Sequence, residues 1–185
     1  ASVAGGVISF DGASLQVTAL QPRLRDYVFA VADSGVSRSL GTSSYPTRVA
    51  EGQQVLEIVR RELGTNVPHL AATTREQFAL LGERGVLPPA LARRLQHVVE
   101  ETERVAAGLD AVNAEDWERF GQLMTESGRS SATLYEISHP EVEELVAVAL
   151  AQPGVLGARM MGGGEGGAVL ALLRRETIDT FEAGL

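Results

Sequence analysis

Apolar and polar residues alternate through Val7-Ile-Ser-Phe10 and again through Ser14-Leu-Gln-Val-Thr18, on either side of Asp11-Gly12. A period of two marks a strand, and Asp-Gly supplies the positive φ that a tight turn wants, so a β-hairpin is predicted. Tyr27-Val-Phe-Ala-Val-Ala32 is a continuous apolar run of strand length, which predicts a buried central strand. Asp33-Ser-Gly35 then reads as a turn, and a polar stretch runs on to Ser44.

From about Pro46 the period changes. Val49, Val55, Leu56, Val59 and Leu63 recur at helical spacing, with Gly64 as a natural stop. Thr73-x-x-Glu76 predicts a capping box for a short helix ending at Gly85. Pro88-Pro89 opens a long helix whose inward stripe is Leu91, Leu95, Val98, Val99, Val105 and Leu109. Asn113 is predicted to cap the next, with Trp117, Phe120, Leu123 and Met124 inward. Ser138-x-x-Glu141 caps another, from Val142 to about Ala151, with Leu145, Val146 and Ala149 inward. Two strands follow, Val155–Arg159 and Ala168–Leu173, and Glu176–Leu185 reads as a partly ordered tail.

Strands segregated from helices predict an α+β fold with an antiparallel or mixed sheet and several helices packed on it, not alternating βαβ units. No internal repeat is evident. At 185 residues the chain suits one domain or one and a half, enough to bury roughly 70% of its unfolded surface.

Between the last two strands lies the most informative stretch. Ala158-Arg-Met-Met-Gly-Gly-Gly-Glu-Gly-Gly-Ala168 places five glycines in six positions. Glycine costs backbone entropy and is kept where no side chain fits or where φ is positive. The flanking strands exclude a mobile linker. Backbone N–H groups of such a loop suit a phosphate, but close packing against a neighbour is the commoner reason for one. It is neither a P-loop, since no Gly-Lys-Ser/Thr follows, nor a dinucleotide fingerprint, since a strand comes next. Glu165 repels an anion unless its carboxylate points away.

The net charge of −8 shows no basic face for nucleic acid. No apolar run approaches the ~18 residues of a membrane span. Cysteine is absent, and His69, His97 and His139 lack metal-ligand spacing, so no metal site is predicted. The opening residues lack the basic start of a signal peptide, and the expected location is cytoplasmic. Tyr45, at a helix entry, suits either packing or a polyol. Asp33 suits a turn or a strand-end catalytic role. His97 reads as a satisfied half-buried histidine, His139 as a helix-start residue, Arg129 as solvated, and Glu100-Glu101-Thr-Glu103 as a solvated face. No nucleophile, general base or metal cluster emerges, so no catalytic residue is assigned within the chain.

In order, four segments resemble the galactokinase branch of the GHMP small-molecule kinases. Gly157-Ala-Arg-Met-Met-Gly-Gly-Gly-Glu-Gly-Gly167 is similar to the family's third motif, G-S-R-M-T-G-G-G-F-G-G. Leu123-Met-Thr-Glu-Ser-Gly-Arg-Ser130 followed by Tyr135-Glu-Ile-Ser-His-Pro-Glu-Val-Glu-Glu-Leu145 resembles L-M-x-x-S-H-x-S-L…Y-E-V-S-C-P-E-L-D-x-L. Arg93-Arg-Leu-Gln-His-Val-Val-Glu-Glu-Thr-Glu-Arg-Val105 resembles R-R-A-x-H-V-V-x-E-x-x-R-V, and Ser44-Tyr45-Pro-Thr-Arg48 stands where galactokinases have S-x-Y-N-x-R-R. Glu165, Pro46, Val49 and Gly128 depart from the family's Phe, Asn, Arg and His.

The resemblance implies ATP-dependent phosphoryl transfer to an anomeric sugar hydroxyl. It implies that Tyr45 lines the sugar pocket and that Gly162, Gly163, Gly164, Gly166 and Gly167 close the cleft. The phosphate loop and the catalytic aspartate are expected upstream of Ala1, in an N-terminal half that binds most of the ATP and Mg²⁺. Residues 1–22 are then the end of that N-terminal kinase domain, 23–176 the GHMP kinase C-terminal domain, and 177–185 a tail. Asp33-Ser-Gly-Val…Ser39-Leu-Gly41 is similar to arabinokinases, so the sugar is expected to be galactose or arabinose-like. The isolated chain is expected to be inactive and to form dimers, or a rearranged edge, at its uncovered surface. The alternatives are a catalytically silent sugar sensor or interaction protein and a GHMP kinase for another alcohol.

Overall fold

The structure is a computed structural model that describes residues 6–12, 14–36, 44–64 and 66–185. The opening Ala1–Gly5, Ser43 and the arabinokinase-like positions Ser39–Gly41 lie outside them. Among the described residues, five strands and six α-helices form an α+β fold: β1 (Val7–Asp11), β2 (Gln16–Leu20), β3 (Tyr27–Asp33), α1 (Tyr45–Leu63), α2 (Arg75–Glu83), α3 (Pro89–Asn113), α4 (Trp117–Ser130), α5 (Pro140–Ala151), β4 (Val155–Met160), β5 (Ala168–Arg174) and α6 (Ile178–Gly184).

β1 and β2 make a separate antiparallel hairpin in register Val7↔Leu20 to Asp11↔Gln16. Its turn is longer than Asp-Gly alone, with Leu15 taking a positive φ of 58° and the Ser14 hydroxyl donating to Asp11 at 2.8 Å.

The main sheet has the order β3-β5-β4, antiparallel throughout. β3 was expected at the centre and instead forms an edge; the central strand is β5. The side chains explain the exchange. β5 is apolar on both faces: Val169, Ala171 and Leu173 enter a core with Val142, Ala149 and Phe181, while Leu172 enters one with Trp117 and Met124. β3 cannot match this, because Val31 is 60% exposed.

A third core, Val55, Val59, Leu81, Leu95 and Val99, joins α1, α2 and α3 away from the sheet. The expected stripe of α3 is broken at Val105, which is 59% exposed, and Val49 of α1 also faces solvent.

Cap positions shift by one to three residues. Thr74 and Gln77, not Thr73 and Glu76, form the capping box of α2. Asn113 ends α3, and Asp116 caps α4 by accepting from the Arg119 amide at 2.9 Å. His139, not Ser138, is the N-cap residue of α5, and the Ser138 hydroxyl instead donates to Glu143. The tail is helical: α6 buries Phe181 against α5 and the sheet.

α4 crosses β4 backbone to backbone. A Cβ at Gly121 would stand 2.6 Å from the Leu156 carbonyl group, and one at Gly157 would fall on the Gly121 carbonyl. Beyond Ser130 the helix widens into a π turn, Ser131–Tyr135, which ends where Glu136 turns left-handed at φ 55°. Such turns commonly re-aim a chain at functional positions. Here the turn delivers Glu136 and Ile137 to the glycine loop.

Candidate functional site

The loop between β4 and β5 is a structured bend held by its own chain. The Met161 amide donates to the Ala168 carbonyl at 2.8 Å, closing the hairpin. On one side the Glu165 amide donates to the Ile137 carbonyl at 2.8 Å. On the other, the Gly167 amide donates to Val36 at 3.0 Å, and its carbonyl accepts from the Ser34 amide at 2.9 Å and the Ser34 hydroxyl at 2.5 Å. Ser34 thus belongs to a turn that braces the loop. Asp33 holds the same turn through a 3.0 Å bond from the Gly35 amide, which is the structural one of its two expected roles.

The glycines divide by what surrounds them. Gly164 and Gly166 are buried, and a Cβ on either would strike backbone, the Ile137 carbonyl oxygen and the Val36 carbonyl oxygen respectively. Gly162, Gly163 and Gly167 are exposed. Gly162 and Gly167 have positive φ with no atom near the Cβ position, so their outer side is open to something that approaches the backbone closely. One face of the loop is therefore packing and the other is available surface.

Tyr45 is the first residue of α1 and is 70% exposed. The glycine loop reaches that helix end directly, because Glu165 Oε1 accepts from the Ser44 amide at 2.8 Å. The carboxylate expected to repel an anion is turned toward the start of α1.

One turn along, Arg48 donates to the Glu136 carbonyl at 3.1 Å and pairs with Glu51 at 2.6 Å. Arg94 of α3, its side chain 3% exposed, lies between Glu51 at 2.7 Å and Glu136 at 2.6 Å and also donates to the Leu134 carbonyl. Arg93 adds a 2.8 Å contact to Glu136. Burial opposes the Arg94 charge, yet the Glu51 and Glu136 carboxylates outweigh it and hold its pKa above the ordinary value. Burial likewise opposes Glu51, but Arg94 and Arg48 keep that carboxyl below its usual range. Arg94 is buried while Glu136 is 40% exposed, and an ion pair of this kind is weak evidence for stability; what it does is tie three segments together. This one fixes the left-handed Glu136, and through it the Ile137 carbonyl on which the loop rests. Sequence reasoning missed the network, although Arg93-Arg94 and Tyr135-Glu136 both sat inside segments already singled out. Charges on separate elements give no sign of pairing until the fold brings them together.

Residues 109–185 match the family profile described as GHMP kinases C terminal. Over these residues the chain carries a GHMP kinase C-terminal domain. It is 36% identical to a galactokinase of Enterococcus faecalis over 176 residues, 94% of this chain and 44% of that protein. It is 40% identical to one of Chloroflexus aggregans over 155 residues, 84% of this chain and 39% of that protein. The chain therefore spans under half the length of these relatives. The structure of Lactococcus lactis galactokinase complexed with galactose superimposes with a TM-score of 0.89 at 29% identity, over 97% of this chain and 46% of that one. L. major mevalonate kinase shares the fold at a TM-score of 0.56 and 17% identity.

One histidine has a structural role. His97 is buried on α3, its Nδ1 lies 2.8 Å from the Ser130 hydroxyl, and its ring stacks on Tyr135 at 4.6 Å. His139 opens α5 as expected. Arg129 is solvent-exposed, also as expected. Among the described residues, no cluster of acids and imidazoles is disposed to hold a metal ion, and no helix is long and apolar enough to cross a membrane.

Burial, reinforced by Arg104 and Arg159, lowers the His97 pKa from 6.5 to about 4. The unfolded chain then binds the proton more readily than the folded one, so stability falls as pH drops through the unfolded value. Each unit of pKa difference is worth about 1.4 kcal/mol. The lowered carboxylates Glu51, Glu76, Glu103 and Glu136 lose their contribution mainly below their ordinary 4.5, so His97 dominates the loss between that value and 6.5. Thermal melts are expected to lose roughly 2 kcal/mol across that window, with the slope flattened in His97→Gln.

Proposed function

We propose that this chain supplies the C-terminal portion of an ATP-dependent sugar 1-kinase of galactokinase type. The observation that carries the reading is the two-sided glycine loop, locked to its own domain by Gly164 and Gly166 and open at Gly162, Gly163 and Gly167. An open backbone surface beside an exposed tyrosine suits a domain that completes a cleft. The loop closes over the phosphates and excludes water, and Tyr45 offers its ring and hydroxyl to a galactose- or arabinose-like sugar. Stabilisation of the transferring phosphoryl group depends on positioning and on charge around the phosphates. That work, with most of the contacts to ATP and Mg²⁺, falls to residues outside this chain. With the Glu165 and Gly167 amides already engaged by Ile137 and Val36, the loop's part toward ATP is a supporting one. In this reading the domain proper starts at residue 23 and includes the helical tail, whose Phe181 lies in its core.

Sugar-dependent ATP consumption by the full-length polypeptide, measured over a panel containing galactose and L-arabinose, tests the proposal. Turnover of one of these sugars is expected, and none by residues 1–185 alone. Sugar binding without turnover in the full-length protein points instead to a catalytically silent sensor, and turnover of a non-sugar alcohol points to a different GHMP kinase. The hairpin exposes Phe10, Leu15 and Val17, an apolar surface that the rest of the enzyme is expected to cover. Light scattering on the isolated chain should accordingly show self-association.

A further inference from the structure

Position 165 is the one place in the glycine run, between residues 162 and 167, where a side chain is kept, and its backbone makes that costly. Glu165 has φ 61°, inside the same left-handed region as its glycine neighbours Gly162, Gly164, Gly166 and Gly167. An L-residue held there costs about 1–2 kcal/mol relative to glycine. A glycine at this point would be relaxed, so the side chain must return something.

The return lies at the start of α1. This helix begins without a cap of its own: the Ser44 side chain makes no capping bond, and the first turn contains no acidic residue. Glu165 supplies the missing carboxylate from 121 positions away, accepting the Ser44 amide at 2.8 Å. A carboxylate at a helix N-terminus satisfies an otherwise orphaned donor and opposes the positive end of the helix dipole. A charge-assisted bond of this kind is about twice as strong as a neutral one. The loop's backbone is meanwhile fixed to Ile137, and Ile137 follows the left-handed residue clamped by Arg48, Arg93 and Arg94. Arg48 lies on the first turn of α1, so the circuit closes on the same helix end from its other side.

We infer that Glu165 is a positioning residue whose carboxylate latches the Tyr45 end of α1 to the glycine loop, so that the sugar-facing tyrosine and the cleft-closing loop are held as one body. The functional half of this statement rests on the role proposed above for Tyr45.

Two readouts separate the latch from that role. In Glu165→Ala, hydrogen exchange at the Ser44 amide is expected to accelerate about tenfold, while the amide of Leu95 in the α1–α3 core is unchanged. Glu165→Gln keeps the acceptor oxygen and is expected to restore most of the protection. In the full-length enzyme, Glu165→Ala should raise the sugar KM about tenfold with kcat within about twofold, and Glu165→Gln should recover most of the loss. Unaltered exchange at Ser44 in Glu165→Ala overturns the latch. Faster exchange with an unchanged KM overturns its positioning role, as does an equal loss in kcat and KM for both variants. If the full-length protein turns over no sugar, the kinase reading fails, and the Ser44 amide still decides whether the latch exists.

Discussion

Alanine at position 157 is expected to be the most damaging single methyl group in the domain. Its Cβ would occupy the space of the Gly121 carbonyl, where α4 lies directly on β4. Overpacking against flexible side chains costs about 1–3 kcal/mol and is relieved by rotamer changes. Here the obstacle is backbone on an element anchored by Trp117, Leu123 and Met124, so relief requires the whole helix to lift from the sheet. A loss of at least ~3 kcal/mol follows, a large share of the 5–15 kcal/mol typical of a folded domain. For a chain of this size that corresponds to a drop in Tm of roughly 10 °C. Gly121→Ala should behave alike, since its Cβ would meet Leu156 at 2.6–2.7 Å. The control is Gly108→Ala, whose Cβ would make ordinary 3.7 Å contact with the Phe120 ring. Alanine is favoured over glycine inside a helix by about 1 kcal/mol, so this change should be neutral or stabilising. Equal melting losses for Gly108→Ala and Gly157→Ala would show that the crossing is not packed as described.

Gly121 also shows where the sequence could be read and where it could not. Helical periodicity placed Trp117, Leu123 and Met124 on one buried face, because burial on a helix repeats with the backbone turn. The same pattern is silent about a glycine whose value lies in what crosses over it. The strands behaved similarly. Their lengths were legible from runs of apolar residues, but β3 and β5 exchanged their expected importance, since a short apolar run does not say whether one face or both are covered. Caps moved because Thr73 and Thr74, or Ser138 and His139, offer competing starts within a residue of each other, and tertiary contacts choose between them. At the candidate site, the glycine run and Tyr45 stood out by composition and motif. The part that fixes them in place, Glu51, Arg94 and Glu136, is spread over three elements. A carboxylate that looked out of place in a phosphate-type loop, Glu165, proved to be turned toward Ser44. Only the folded chain brings residues 44 and 165 together.

The largest functional effect is expected from Gly164→Ala. The added methyl would land on the Ile137 carbonyl oxygen, the acceptor of the Glu165 amide, at a backbone φ of 99° that L side chains rarely adopt. Strain of this kind costs about 1–3 kcal/mol and is relieved locally, because the outer face of the loop is open. The fold should therefore survive with a modest loss in Tm, while the loop lifts from Ile137 and carries Glu165 with it. A displacement of about 1 Å in a positioning element can cost ~100-fold in rate. In the full-length enzyme, kcat/KM is expected to fall by about that factor, and the Glu165 amide should lose its protection from hydrogen exchange. Gly162→Ala supplies the comparison: its φ of 85° imposes similar strain, but no atom lies near the new methyl. It should leave the Glu165 amide protected and the Ile137 contact intact. If Gly162→Ala and Gly164→Ala expose that amide equally, backbone strain alone governs the loop, and the division into a packed face and an open face is wrong.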